Sequence, residues 1–169
     1  MTQQSPFTIR AAEPADYLAV HRILSGPLAQ RNTLQLVYQS ADVWKKRIEQ
    51  PPDGHYNLLV CAGDEVVGHL GLSTTARPRR RHAGQLGMAV RDDWQGRGAG
   101  SALMRAAIQM ADNWLNLSRL ELEVFADNRP AIRLYQKFGF EVEGTLKQFG
   151  LRDGVFEDAL AMARLRPHA

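Results

Sequence analysis

The sequence predicts an α/β fold in which helices pack on a central sheet of about seven strands. Two observations predict it: apolar residues recur with strand and with helix periodicity, and the two kinds of segment are interspersed along the whole chain. Apolar residues make up 44% and charged residues 23% of the 169 residues, which is ordinary for a folded globular protein. This length suits one domain over residues 1–169.

The first half of the chain is predicted to form a strand, two helices and a hairpin. Tyr17, Val20 and Ile23 recur at helical spacing, and Ser40 is a suitable N-cap for the second helix. A turn at 63–65 separates two apolar runs, which is typical of a hairpin. In order, the predicted elements are a strand at 8–11, a helix that Pro14 opens and Gly26-Pro27 ends, a helix between Ser40 and Pro51, and strands at 56–62 and 66–73.

The second half of the chain is predicted to add four strands and two helices, giving about four helices in all. In the segment 119–125, leucine and valine alternate with glutamate, which indicates a strand with Glu121 and Glu123 on one face. The long helix is predicted to bury one apolar face that includes Leu103, Ala106, Ala107, Met110, Trp114 and Leu117. The predicted elements are strands at 85–91, 119–125, 140–149 and 155–165, a long helix after 96–100, and a helix that stops at Gly139.

Composition excludes several classes of protein and of partner. No run of about 18 apolar residues exists, so no membrane span is expected, and the first ten residues do not resemble a secretory signal. A single cysteine excludes an intramolecular disulfide, no metal site is indicated, and a cytoplasmic location is expected. The net charge of +3 is too small to indicate a nucleic-acid partner. The basic run 77–82 does not indicate one either, because no second basic stretch or aromatic platform accompanies it.

A glycine-rich turn at 95–101, between a strand and the long helix, predicts an anion-binding site. Three glycines in five positions let a ligand approach the backbone, and the first turn of a helix offers free N–H groups with partial positive charge. Arg97 adds a full positive charge. The Gly-Lys-Ser/Thr ending of a P-loop is absent, and Ser101 stands where a dinucleotide fingerprint needs its third glycine. A helix entry without a ligand remains the alternative.

Two motifs resemble those of the GCN5-related N-acetyltransferase (GNAT) superfamily. Gln95-x-x-Gly98-x-Gly100 resembles its pyrophosphate-binding motif, and the segment 128–140 resembles its Asn-x-x-Ala-x-x-x-Tyr-x-x-x-Gly-Phe signature. The resemblance implies a mixed, mostly antiparallel sheet and transfer of an acetyl group from acetyl-coenzyme A (acetyl-CoA) to a primary amine. The residues that it assigns to the co-substrate are Met88, Ala89, Val90, Gln95, Gly96, Arg97, Gly98, Ala99, Gly100, Ser101, Asn128 and Tyr135.

The resemblance also implies catalytic roles. Tyr135, which periodicity alone would assign to the core, is the general acid in that superfamily. A backbone N–H from 88–90 is the expected donor to the oxyanion, with Gly87 suited to a β-bulge that would free it. Glu123 matches the position of a base in relatives that acetylate protein N-termini, while a histidine or water remains open for that role.

The acceptor is expected to be a small amine. Segments 32–35, 67–70, 77–82 and 112–115 resemble bacterial L-amino-acid N-acetyltransferases. The alternatives are a protein N-terminal or lysine acetyltransferase, a polyamine acetyltransferase, and a non-catalytic acyl-CoA sensor, and a homodimer is left open. The run 77–82 is either a solvated loop or a contact to a substrate carboxylate or to the coenzyme's 3′-phosphate. The expected substrate contacts are Asn32, Thr33, His69, Arg79 and His82.

Overall fold

Seven strands form one mixed sheet in the computed structural model, which describes residues 6–167. Their order is β1-β2-β3-β4-β5-β7-β6, and every neighbouring pair is antiparallel except β4 and β5. The predicted strand count and α/β class are thereby confirmed. The strands are β1 Phe7–Ala11, β2 His55–Ala62, β3 Glu65–Thr74, β4 Ala83–Val90, β5 Arg119–Phe125, β6 Glu141–Arg152 and β7 Val155–Leu165.

Within residues 6–167 there are five α-helices, one more than the sequence predicts. The additional helix is α2, which follows α1 directly because Pro27 occupies its first turn, where the missing N–H costs nothing. The side chain of Asp92 accepts a hydrogen bond from Leu28 N at 3.0 Å at this helix start. None of these helices is long and apolar enough to cross a membrane. They are α1 Tyr17–Leu24, α2 Pro27–Asn32, α3 Ala41–Glu49, α4 Ala99–Asn113 and α5 Arg129–Lys137.

The end of α4 corrects one prediction. The helix stops at Asn113, and Trp114, expected on its buried face, is 81% exposed. Asn116 adopts a positive φ of 51°, so the chain turns back towards the helix there. Leu117 is buried as predicted, but it packs from this turn rather than from the helix.

Apolar side chains bury both faces of the sheet. On one face α4 and α5 pack against β3, β4 and β5, with Leu72, Leu103 and Leu120 in this core. On the other face α1 and α3 form a second core in which Ile23 and Trp44 lie against Leu59 of β2. Side chains of the sheet that point towards α1 and α3 therefore lie on the opposite face of the sheet from those that point towards α4.

The sheet opens between β4 and β5. Their parallel pairing covers only Ala83–Gln85 against Arg119–Glu121, although β4 continues to Val90 and β5 to Phe125. The predicted bulge at Gly87 is absent, because β4 pairs with β3 in continuous register and sets Gly87 directly opposite Gly71. Backbone groups of β4 therefore reach the opening because the strand diverges from β5, and not because it contains a bulge.

Candidate active site

A cavity of about 880 Å³ occupies the opening between β4 and β5. It extends from the glycine turn before α4, past Tyr135, to the polar face of β2 and β3 under α3. Because it runs from one side of the sheet to the other, it can hold a long ligand and a second, smaller one end to end. This arrangement suits a transfer between two substrates.

The glycine turn leaves the N-terminus of α4 without a cap. Gly96 and Gly98 adopt φ values of +73° and +94°, which side chains rarely allow, and Gly98 is the N-cap residue. No side chain from residues 6–167 caps the helix, and the hydrogen bond from Ala102 N to Gly98 O at 3.0 Å closes its first turn. A Cβ on Gly100 would lie 3.1 Å from both Leu134 and Met88 side-chain atoms. These glycines therefore keep space and free N–H groups at the cavity, as a bound phosphate requires.

The other residues of the turn differ in their relation to the cavity. Gln95 and Ser101 line it, and Gln95 Nε2 donates to the Val90 carbonyl at 3.4 Å. Ala99 is buried and does not line it. Arg97 also lies outside the lining, with its guanidinium 4.9 Å from the ring centre of Trp94, a residue that does line it. The charge of Arg97 is thus at the rim of the turn rather than within it.

The backbone of β4 presents two amides to the opening. Arg91 N donates to Val67 O at 2.8 Å, and N–H direction alternates along an antiparallel strand. The N–H of Ala89 consequently points to β3, whereas those of Met88 and Val90 point away from β3, towards the opening. Met88 and Val90 are the two candidates for a donor to the acetyl oxygen, and Ala89 contributes only its side chain to the cavity wall.

Tyr135 lines the cavity from α5 and is only 7% exposed. Its ring packs at 6.0 Å from that of Phe140, and its hydroxyl hydrogen bonds to no residue within 6–167. Burial raises the pKa of Tyr135 to about 12, so the phenol is protonated throughout the neutral range. A buried phenol without a protein partner is available to a ligand. Asn128 lines the cavity as well and caps α5, accepting from Ala131 N at 3.3 Å.

The two glutamates of β5 have different surroundings. Burial raises the pKa of Glu121, but hydrogen bonds from Arg119 and Arg80 outweigh that effect and lower it below its usual value. Glu123 is exposed, lines the cavity, and forms no ion pair with the residues at 6–167. Of the two carboxylates, Glu123 alone is free to meet a substrate.

Three of the five expected substrate contacts lie at the cavity. Asn32, Thr33 and His69 line it, whereas Arg79 and His82 are exposed residues outside the lining. Arg79 belongs to a short 3₁₀ turn and His82 holds the start of β5 through its backbone carbonyl. His69 is 6% exposed, and its Nε2 lies 2.8 Å from Asn57 Oδ1. Burial, with a smaller contribution from His55, lowers the pKa of His69 to about 4, so the imidazole is neutral at pH 7.

The buried neutral state of His69 predicts a pH-dependent stability. The unfolded chain takes up a proton at this site near pH 6.5 and the folded chain near pH 4. Unfolding is therefore favoured as the pH falls through this window, by about 3 kcal/mol at about 1.4 kcal/mol per pKa unit. Urea unfolding at pH 7.5 and at pH 4.5 should show that His69→Gln loses less stability on acidification than the wild type. Equal losses in the two proteins would show that His69 is charged when folded.

Several residues that line the cavity belong to none of the predicted sites. Trp44 and Arg47 come from α3, and His55 and Ser73 from paired positions of β2 and β3, where His55 Nδ1 lies 2.7 Å from Ser73 Oγ. Alternation in 55–59 and 69–73 could have placed these polar groups on one strand face. The register between the two strands was needed to bring them together.

Comparison with known proteins gives consistent matches. The Acetyltransferase (GNAT) family model matches residues 20–140. The chain is 46% identical over 162 residues to the L-amino acid N-acetyltransferase AaaT of Escherichia coli K12, covering 96% of this chain and 99% of that protein. It is 27% identical over 158 residues to the spermidine N(1)-acetyltransferase of the same strain, covering 91% and 83%. The structure of a spermidine N-acetyltransferase from Vibrio cholerae in complex with CoA and spermine shares the fold, with a TM-score of 0.83 over 96% of each chain at 23% identity.

Proposed function

Because the chain belongs to the GNAT acetyltransferase family, whose acetyl donor is acetyl-CoA, we propose that it acetylates the amine of a free L-amino acid by direct attack. The enzyme class, an N-acetyltransferase, follows from the family and from the 46% identity to AaaT. The observation that carries the proposal is the hydroxyl of the buried Tyr135, which has no hydrogen-bond partner within residues 6–167 and lies in a cavity that joins the glycine turn to a polar pocket. The proposal treats residues 1–169 as one catalytic domain.

The residues around the glycine turn fit a coenzyme with a diphosphate. Free N–H groups at the start of α4 meet the charge of a phosphate, and the positive φ values of Gly96 and Gly98 give the turn the shape that presents them. Gln95, Ser101 and Asn128 add polar groups on the same wall. Bound acetyl-CoA supplies an activated acetyl thioester. The turn fixes the far end of the molecule, so that the thioester lies reproducibly between β4 and β5.

Three groups of the chain then act on protons and charge. The N–H groups of Met88 and Val90 stabilise the acetyl oxygen as it gains negative charge. The Tyr135 hydroxyl donates a proton to the departing sulfur. Glu123 accepts the proton that the acceptor amine releases, either directly or through water. The adjacent carboxylate raises the α-amine pKa of a free amino acid above that of a peptide N-terminus, so the amine is mostly protonated at pH 7 and has to lose a proton before it attacks.

The charges of the cavity favour a small zwitterion over a polyamine. A polyamine carries several positive charges and is best held by clustered carboxylates, yet Glu123 is the single carboxylate among the described residues that line the cavity. Helices α2 and α3 cover the acceptor side through Leu28, Ala29 and Trp44, which limits the room for a folded protein substrate. A cytoplasmic location is also proposed, since the unpaired thiol of Cys61 suits a reducing compartment.

A homodimer is part of the proposal as well. Leu151, Val155 and Phe156 are exposed apolar residues near the turn between β6 and β7, and Leu34 on the loop after α2 contacts the neighbouring Gly150 position. Exposed apolar residues that cluster in this way often mark a protein interface. Light scattering across a concentration series measures the oligomeric state, and a monomer at all concentrations would contradict the dimer.

A thiol-release assay tests the proposed function. The enzyme is incubated with acetyl-CoA and each of the free L-amino acids, spermidine, spermine and short peptides with a free N-terminus. At least one free L-amino acid should give a higher kcat/KM than every polyamine and peptide. A higher value for spermidine or for a peptide would contradict the proposed acceptor, and no release with any amine would indicate a non-catalytic acyl-CoA sensor.

Charge reversal at Arg97 should weaken the binding of acetyl-CoA. Arg97→Glu places a negative charge beside the uncapped N-terminus of α4, so the KM for acetyl-CoA should rise about fivefold while kcat stays unchanged. Arg105→Glu is the matched control, since it changes the net charge equally on an exposed residue of α4 outside the cavity. Steady-state kinetics at low salt measure both variants. Equal KM values in the two would remove Arg97 from the co-substrate site.

A further inference from the structure

We infer that Arg47 binds the carboxylate of the acceptor amino acid, an inference that rests on the proposed function. Arg47 lies in the second half of α3 and lines the acceptor side of the cavity. Arg47 lies outside the glycine turn at 95–101 and the segment 128–140.

The charges around the cavity are few and of opposite sign. Among the described residues that line it, Arg47 is the one arginine or lysine and Glu123 the one aspartate or glutamate, and His69 is kept neutral by burial. Arg47 comes from the helix above the sheet, whereas Glu123 comes from β5 at the opening beside β4. A free amino acid carries a carboxylate and an amine on adjacent carbons. These two groups can therefore meet opposite charges on opposite walls, with the amine on the side where the acetyl group is transferred.

The guanidinium of Arg47 is available to a ligand. Several arginines of the chain are held in ion pairs, such as Arg80 and Arg119 with Glu121, and Arg152 with Asp127. Arg47 forms no ion pair with any residue from 6 to 167; its guanidinium lies 4.8 Å from the ring centre of Trp44. Stacking on an indole occupies the face of the guanidinium and leaves its N–H edges free. Those edges match the two oxygens of a carboxylate.

A buried stack of rings holds Arg47 in place. Trp44 is buried beneath it, and the Trp44 indole meets the His69 imidazole edge to face at 5.7 Å and 71°. His69 is fixed in turn by its 2.8 Å contact with Asn57 on β2. The three side chains below Arg47 therefore form a support anchored in the sheet. A neutral His69 adds no charge to this support.

This arrangement makes the carboxylate a condition for efficient acetylation. A polyamine has no carboxylate to bind to Arg47, and its positively charged ammonium groups are repelled by the guanidinium. An amino acid amide keeps the amine and side chain but loses the charge, so it isolates the contribution of the carboxylate. We expect the wild-type enzyme to prefer each L-amino acid to its amide.

Kinetics with matched acids and amides test the inference. The free L-amino acids that the wild type acetylates are assayed beside their amides with wild type, Arg47→Gln, Arg47→Lys and Lys46→Gln. Arg47→Gln should raise the KM for the acid about 10- to 100-fold, as loss of a charged hydrogen bond implies, and should leave kcat/KM for the amide and the KM for acetyl-CoA unchanged. Arg47→Lys should restore part of the preference. Lys46→Gln, an exposed neighbour outside the cavity, should behave as wild type.

The outcomes separate this inference from the proposed function. If the wild type acetylates free amino acids and the ratio of kcat/KM for the acid to kcat/KM for the amide is the same in Arg47→Gln, the role of Arg47 is overturned and the proposed function stands. Wild-type enzyme that acetylates no free amino acid overturns the proposed acceptor and the inference with it. Because each ratio is compared with that of the wild type, the different amine pKa values of acids and amides cancel.

Discussion

Replacing Tyr135 with phenylalanine should lower kcat about 100- to 1,000-fold, the usual contribution of a positioned general acid. The hydroxyl is the part of the side chain that faces the cavity without a protein partner, while the ring packs on Phe140. Its removal therefore takes the proton from the departing sulfur and leaves the packing intact. The affinity for acetyl-CoA should change by less than about threefold, since the ring that contacts it remains. Steady-state kinetics with the best acceptor measure kcat, and a binding titration measures the affinity for acetyl-CoA.

Three further observations distinguish catalysis from structural damage in this variant. The free energy of unfolding should not fall, because the deleted hydroxyl has no hydrogen bond to lose. Tyr56→Phe is the matched control, since Tyr56 is a partly buried residue of β2 that does not line the cavity, and it should keep full activity. The pKa of about 12 also keeps Tyr135 protonated, so this residue should cause no loss of kcat between pH 7 and 10. An unchanged kcat in Tyr135→Phe would remove the residue from the mechanism.

Replacing Gly87 with valine should abolish use of the acceptor without harming the fold. Gly87 lines the cavity on the strand face that α1 and α3 cover, and a Cβ built on it meets no atom within 4 Å. That open space is where the acceptor must lie to reach the opening between β4 and β5. We expect kcat/KM for the acceptor to fall about 100-fold or more, because a small displacement of the amine prevents attack. Binding of acetyl-CoA from the other side should persist.

The free energy of unfolding of Gly87→Val distinguishes a blocked acceptor site from a damaged fold. Valine favours an extended backbone more than glycine does, so the free energy of unfolding should stay equal or rise. Gly144→Val is the matched control: its Cβ also meets no atom within 4 Å, in β6 and away from the cavity. That variant should keep wild-type kinetics. Full activity in Gly87→Val would mean that the acceptor approaches by another route.

Local patterns predicted the parts of the site that lie within one segment. Alternation in β5 placed Glu121 and Glu123 on one face, and the glycine spacing located the uncapped start of α4. The same patterns could not say which glutamate is free. That difference depends on Arg119 of the same strand and on Arg80, which lies 41 residues away in sequence, since both pair with Glu121.

Other parts of the site depend on contacts that no local pattern encodes. Gly26-Pro27 ends one helix and begins another, because proline suits a first turn as well as a break, so α2 was not predicted. A glycine at 87 suits a bulge or an open pocket floor equally, and the register with Gly71 decides between them. Arg47 acquires its place from Trp44, which in turn rests on His69 of another element.

A single competition reaction measures which class of amine the enzyme acetylates in preference to the others. Wild-type enzyme is given acetyl-CoA with an equimolar mixture of the free L-amino acids, spermidine and a peptide with a free N-terminal alanine, and the products are identified by mass spectrometry. We expect N-acetyl-L-amino acids as the main products, formed in step with the release of free coenzyme A. Predominant acetylspermidine or acetylated peptide would contradict this expectation.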